Sequence, residues 1–317
     1  MKVENNMKNR ILVIGSINVD YVIHTHRLPA LGETITGEAF SMNFGGKGAN
    51  QAVAIAKAGG NVKMLGAVGR DLPGEQAVSY LESMGVDCSA VLRVEGSTGA
   101  AVITVCGGDN HIILDMGANE KVTPEVITQN AALFDWADMV VMQYEIPVES
   151  VLAAAKLAKE RGKTVLINPA PVKEVPNELY SYVDLITPNE FEANLITGID
   201  PVNAVAAQKA IRTLQALGCK NAVITLGSRG CAYSEGDRIG FAGIYQVARV
   251  DTTAAGDSFL GGICAKLCEG KCLADAVTYA AAVSAIAVSR HGAAASIPTA
   301  EEVENFLKNH AIGEFEG

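Results

Sequence analysis

The run ILVIGSI, residues 11 to 17, is short, apolar and rich in β-branched residues, and it ends at a Gly-Ser turn. That is the pattern of a strand buried on both faces. From residue 48 to 227 such runs alternate with helical segments. QAVAIAKAGG predicts a helix closing on glycine, and NVKMLGAVG predicts a strand after it. VVMQY, KTVLINP, DLITPN and NAVITLG predict further strands, and helices are expected over ESVLAAAKLAKERG and VNAVAAQKAIRTLQALG. In the second of these Ala207, Ile211 and Leu214 share one face, and Gly218 stops the helix. Strands joined through helices run parallel with the helices on the sheet faces, so the chain reads as α/β, a central and mostly parallel sheet flanked by helices.

Two stretches break this rhythm. GETITGEAFSMNFGG (32 to 46) and TGAAVITVCGGDNHIILDMGAN (98 to 119) carry strand-like residues with no helix between them, and CGGDN is a hairpin-turn pattern. They are expected to pair into a small sheet at one edge of the large one, placed to act as a lid. The segments at about 20–43 and 98–116 form that lid, and residues 1–317 make one domain. The stretch EEVENFLKNHAIGEFEG predicts a last helix followed by a frayed acidic tail.

Net charge narrows the function classes. A formal charge of -10 argues against nucleic acid, which needs clustered Lys and Arg, so a bound polyanion must be held by local groups. No apolar run reaches the roughly 20 residues of a membrane span, and MKVENNMKNR lacks the apolar core of a secretion signal. Seven cysteines without short paired spacing fit reduced thiols and a cytoplasmic location. Cys264, Cys268 and Cys272 recur every four residues, but Gly270 interrupts them and no further ligand completes a zinc set, so they are read as buried small side chains.

Ligands of open parallel sheets bind beyond the carboxyl ends of the strands. That rule selects Gly15 to Asp20, Tyr144 with Glu145, Asn189 to Glu192, and Gly227 to Gly230. In NFGGKGANQA, Gly45, Gly46 and Gly48 allow close backbone approach, and Lys47 and Asn50 supply donors at a helix start; a hinge with a helix cap accounts for them equally well. Asn18 and Asp20 can accept from and donate to vicinal hydroxyls, or cap a turn. Glu145 is a strand-end carboxylate, open to an ion pair. Asn189 and Glu192 meet across one helical turn, suited either to a Mg²⁺-bound water or to capping. Asp257, in DTTAAGDSFLGG, stands at a helix start that would otherwise attract anions.

Taken together, GSINVD, NFGGKGANQA, MQYEIP, NPAP, ITPNEFEA, TLGSRG and VDTTAAGDSFLGG resemble, in order and separation, the ribokinase-like carbohydrate kinases of the PfkB family. The resemblance spans residues 11 to 309. It implies a Rossmann-like three-layer fold and ATP-dependent phosphorylation of D-ribose at its 5-hydroxyl. It implies that Asn18, Asp20, Gly45, Gly46, Lys47, Asn50 and Glu145 surround the sugar, with Asn189, Thr225, Gly227, Ser228, Gly230 and Gly256 on the nucleotide side. Glu192 would help to order Mg²⁺ through water. A monovalent cation, usually K⁺, would lie at Asp251, Thr253, Ala287, Arg290, Gly292 and Ser296, largely on main-chain carbonyls. Ala281 stands where many members place Asn or His against adenine, a departure that loosens the base contact. A homodimer joined through the lids is expected, aided by apolar strand faces such as AVITV.

This arrangement answers the puzzle of the acid. Amides around Ala254, Ala255 and Gly256 would grip the transferred phosphate, while Asp257 accepts the hydroxyl proton. The rivals are a kinase for deoxyribose, a nucleoside or fructose, and a non-catalytic sugar-binding protein of the same fold.

Overall fold

The computed structural model describes residues 9–107 and 109–315. Most of the N-terminal segment MKVENNMKNR, and Gly108 of the CGGDN turn, lie outside the described residues. Along the chain the strands are β1 (Arg10–Ile14), β2 (Asn18–Thr25), β3 (Ala39–Gly45), β4 (Asn61–Leu65), β5 (Ala67–Gly69), β6 (Leu92–Val94) and β7 (Gly99–Cys106). They continue as β8 (Asp109–Asp115), β9 (Met139–Met142), β10 (Thr164–Ile167), β11 (Leu185–Ile186), β12 (Asn221–Thr225), β13 (Cys231–Glu235) and β14 (Arg238–Ala242). The helices are α1 (Lys47–Lys57), α2 (Leu72–Ser83), α3 (Pro124–Gln129), α4 (Ala131–Trp136), α5 (Val148–Glu160), α6 (Glu190–Thr197), α7 (Ala204–Leu217), α8 (Ala255–Cys268), α9 (Leu273–Val288) and α10 (Ala300–Asn309).

The main sheet has eight strands in the order β14-β13-β12-β11-β10-β9-β1-β4. It is parallel from β12 through β4, and the β13–β14 hairpin extends it antiparallel at one edge. β1 explains the layering. Its residues alternate between faces, so Ile11 and Val13 enter one core with α1, α8 and α9, while Leu12 and Ile14 enter the other with α5 and α7. From β1 the chain goes first to β4 on one side and later to β9 on the other. The strand order therefore reverses between β1 and β9, where open α/β sheets leave a crevice.

The second sheet has the order β3-β2-β7-β8. It is mixed, because β2 pairs antiparallel with β3 and parallel with β7. β7 and β8 run antiparallel, with Cys106 opposite Asp109. Both stretches singled out in the sequence belong here, and β2 joins them.

Several expectations are corrected. NVKMLGAVG is not one strand: β4 stays in the main sheet, and beyond Gly66 β5 leaves to pair with β6. The tail after α10 is not frayed as far as it is described. The Gly313 N–H donates to the Ile244 carbonyl at 2.9 Å, and the Phe315 and Phe241 rings lie 4.7 Å apart. Cys264 and Cys268 are buried as expected, but Cys272 is exposed beyond the end of α8. Tyr144 does not reach the strand-end rim; it packs into the core at 1% exposure.

Candidate active site

The crevice between β1 and β9 is bridged by two polar side chains. Ser16 Oγ donates to Glu145 Oε2 at 2.5 Å, and the Lys47 N–H donates to the same oxygen at 2.9 Å. Glu145 thus occupies the start of α1, where backbone N–H groups lack intrahelical partners and favour negative charge. It is a helix-start cap facing a crevice, not a surface ion pair. Gly46, just before α1, has φ 89°, and a Cβ there would lie 2.9 Å from the Asn18 nitrogen. A Cβ on Gly45 would lie 2.3 Å from Asp20 Oδ2, so this glycine gives the carboxylate its place.

Glu145, Glu192 and Asp257 surround Lys47. Burial pulls the Lys47 ammonium down, but the charges of Asp257, Glu145 and Glu192 outweigh it and hold it above the ordinary lysine value. Burial, helped by the Glu145 charge, pushes the Asp20 carboxyl up to about 6. Asn18 is 3% exposed, and its Oδ1 accepts from Asn119 Nδ2 at 2.7 Å. With that oxygen engaged, the NH₂ of Asn18 is the part left for a ligand.

Asp257 is the third residue of α8 and is 7% exposed. Its Oδ2 lies 3.3 Å from Asn50 Nδ2, and its Oδ1 accepts from Gln51 Nε2 at 2.9 Å. These contacts join the start of α8 to the polar cluster of α1. Ala254, the residue before the helix, has φ 58°, a left-handed conformation that non-glycine residues adopt at a cost. This turn aims backbone N–H groups outward. Of the three residues expected to grip phosphate, Ala255 is partly committed, because its N–H donates to the Thr252 carbonyl at 3.2 Å. Among the described residues the N–H groups of Ala254, Gly256 and Asp257 have no partner.

Beyond this turn opens a cavity of about 450 Å³, within the range of small-molecule sites. Asn189, Thr225, Gly227, Ser228, Gly230, Gly256 and Ala281, all expected on the nucleotide side, line it. Tyr245 and Phe259 also line it; Phe259 lies in DTTAAGDSFLGG without a role assigned to it, and no motif marked Tyr245, because it follows an edge hairpin that sequence patterning did not predict. Asn189 and Glu192 meet as a reciprocal capping box at the start of α6, each side chain accepting from the other's backbone N–H at 2.8 Å. Burial raises the Glu192 carboxyl above its ordinary value.

The residues expected around a monovalent cation converge in part. Asp251 accepts from Thr253 and, at 3.0 Å, from the Gly292 N–H, which ties the 251–253 loop to the 290–296 turn. The Ala287 carbonyl accepts from the Arg290 N–H at 3.1 Å, and Ser296 Oγ donates to the Ala293 carbonyl at 2.8 Å. The Arg290 guanidinium turns away to Glu302, leaving only its main chain on this side.

Sequence reasoning missed Gln51, Asn119, Gln143 and Asn168, and it selected Ser16 only as part of the stretch Gly15 to Asp20. All but Asn119 lie inside quoted motifs, yet spacing alone does not show that Gln51 and Gln143, 92 positions apart, are hydrogen-bonded.

A mostly parallel sheet with a polar crevice at its reversal point, open helix-start amides and an adjoining cavity defines a small-molecule kinase. Residues 8–300 match the pfkB family carbohydrate kinase, and the chain belongs to that family. It is 37% identical to the ribokinase of Haemophilus influenzae, across 96% of this chain and 100% of that one. It is 34% identical to the deoxyribokinase of Salmonella typhi, across 94% of this chain and 98% of that one. The structure of Arabidopsis thaliana ribokinase complexed with ribose and ATP matches with a TM-score of 0.90 at 32% identity, covering 94% of this chain and 98% of that one.

Proposed function

We propose that this protein transfers the γ-phosphoryl group of ATP to the 5-hydroxyl of D-ribose, giving D-ribose 5-phosphate and ADP. The observation that carries the reading is the place of Asp257: its carboxylate contacts Asn50 of the polar crevice at 3.3 Å, while Gly256 of the same turn, whose amide is open, lines the nucleotide-sized cavity. As the sugar oxygen bonds to phosphorus and the bond to the ADP oxygen breaks, Asp257 takes the hydroxyl proton. The amides of Ala254, Gly256 and Asp257 stabilise the charge spread over the transferred group. Asp20 and Glu145 accept sugar hydroxyls, and Asn18, Lys47 and Asn50 donate to them, with Gly45 and Gly46 allowing close approach. Asn189, Thr225, Gly227, Ser228 and Gly230 hold the nucleotide, and the small side chain of Ala281 leaves the base loosely recognised.

Mg²⁺ keeps several waters and takes one or two carboxylates plus substrate phosphates, and the buried Glu192 carboxylate at the start of α6 fits a contact through water. Bound with ATP, it would neutralise phosphate charge. The loop joined by the Asp251–Gly292 contact fits a monovalent cation held on carbonyl oxygens. The second sheet acts as the lid of one domain, hinged at Gly45 and Gly46, and excludes water on closing. Its exposed Phe40, Met42, Ile112, Ile113 and Leu114 favour a homodimer through the lids, which sedimentation tests. No helix among the described residues is long and apolar enough to cross a membrane, and free thiols with ATP as substrate suit the cytoplasm.

The deciding experiment measures ADP release with D-ribose, 2-deoxy-D-ribose, D-fructose and a nucleoside. Preference for ribose supports the reading. Preference for another alcohol moves the substrate within the same chemistry, and the absence of any sugar-dependent ADP release overturns it.

A further inference from the structure

Beneath Asp257 lies a chain of amides that the reaction as described does not use. Gln51 follows Asn50 on α1, is 0% exposed, and has all its polar atoms engaged. Its Nε2 donates to Asp257 Oδ1 at 2.9 Å and to Asn168 Oδ1 at 3.1 Å, and its Oε1 accepts from Gln143 Nε2 at 2.5 Å. Gln143, also 0% exposed, follows β9. Asn168 follows β10, and its Nδ2 donates to the Thr187 carbonyl at 2.9 Å, just past β11. Three adjacent strand ends of the main sheet are thereby linked to α1 and, through one amide, to the acid of α8.

The far end of the chain sets the direction of every bond. A carbonyl only accepts, so the NH₂ of Asn168 turns to Thr187 and its Oδ1 turns to Gln51. Gln51 must answer with its own NH₂, whose second hydrogen then points at Asp257 Oδ1. This holds whether or not Asp257 carries a proton. Oδ1 always meets a donor and has no acceptor to offer a proton to. Oδ2 meets the Asn50 amide at 3.3 Å, whose own oxygen has no other partner and can turn to accept, so a proton on Asp257 sits on Oδ2.

We propose that Gln51, clamped by Asn168 and Gln143, is a positioning residue that reserves Oδ2 of Asp257 for the proton of the sugar hydroxyl. The proposal rests on the reading of Asp257 as the base. Buried amides are costly unless every hydrogen bond is made, and an apolar side chain would fill the same space at lower risk. The directed donor is what such a side chain could not supply. Gln51 also contributes a neutral donor to a carboxylate already surrounded by Lys47 and Glu192, so it fixes orientation without adding charge.

The test is steady-state kinetics with full-length protein, D-ribose and ATP. Gln51→Met keeps length and removes the donors. Its kcat is expected to fall about 10- to 100-fold, the worth of a hydrogen bond to a charged group, while both KM values stay within about threefold. Asn168→Ala releases the clamp from a partly exposed position and is expected to lower kcat about tenfold with the same pattern in KM, which gives a second measurement should Gln51→Met fail to fold. Melting curves and ATP binding by calorimetry establish that each variant is folded. Retention of kcat within about threefold in the folded variant, or a loss confined to KM, overturns the proposal. Failure of the underlying reading looks different: Asp257→Asn then keeps its turnover whatever Gln51 does.

Discussion

Asn119 donates from Nδ2 to Asn18 Oδ1 at 2.7 Å, and its own Oδ1 accepts the Ile17 N–H at 2.9 Å. A residue that follows the last strand of the small sheet thus fixes the amide of one at the start of β2. The space is tight, since a Cβ on Gly99 would lie 2.2 Å from Asn119 Nδ2 and 2.4 Å from Asn18 Oδ1. Asn119→Leu frees the Asn18 amide to rotate and leaves the Ile17 N–H unpaired. We expect the KM for sugar to rise about tenfold or more and the KM for ATP to hold, with some loss of melting temperature. Separate titrations of the two substrates check this.

With Asp20 as a sugar ligand, as proposed, the pH dependence of sugar binding is expected to follow its carboxyl. Its carboxyl is raised to about 6 by burial and by the Glu145 charge. A raised carboxyl favours the sugar-free fold in its protonated form. That contribution is full below the unfolded value of about 4 and is lost as pH rises through about 6. Sugar hydroxyls that donate to Asp20 need the ionised form, so the sugar and this proton compete. The KM for sugar is expected to rise as pH falls below about 6, and Asp20→Asn should raise the melting temperature of the sugar-free protein at about pH 7 while weakening sugar binding. A KM that stays flat across this window contradicts the assignment.

Asp257→Asn preserves shape and, through its amide oxygen, the contact with Gln51, but cannot take a proton. Turnover is expected to fall about 10²- to 10⁴-fold, with sugar affinity by calorimetry nearly unchanged. Near-normal turnover removes Asp257 from the chemistry and leaves it as a helix-start acid.

The chain after α10 braces one wall of the cavity beside α8, the proposed nucleotide site. Gly313 bonds to the carbonyl of Ile244, a cavity-lining residue, and its own carbonyl would lie 2.3 Å from a Cβ on Gly243. Ending the protein after His310 removes that bond and the Phe315–Phe241 contact. We expect the KM for ATP to rise about three- to tenfold, with kcat and the KM for sugar little changed. Initial rates of the shortened protein against ATP concentration test it.

Much of this was legible in the residue order. Period and punctuation gave the buried strands and covering helices, because a strand sealed on both faces has little choice but an unbroken apolar run such as ILVIG. The motifs marked positions that converge in space, since close approach of backbone to phosphate demands small residues at fixed places, and most of those expected on the nucleotide side line one cavity. Short elements were less visible. β11 has only two residues, and the break between β4 and β5 at Gly66 carries no period of its own.

The sequence by itself determined that Asp257 stands at a helix start beside small residues, and that Asn50 and Gln51 follow a glycine-rich turn. Tertiary structure alone decided that these two places touch, that Gln51 rather than a charged group meets Oδ1, and that Glu145 caps α1. The reason is physical. Local pattern reports which face of an element is apolar, whereas the direction of a buried hydrogen bond depends on partners that only the packing of distant strands and helices brings within about 3 Å.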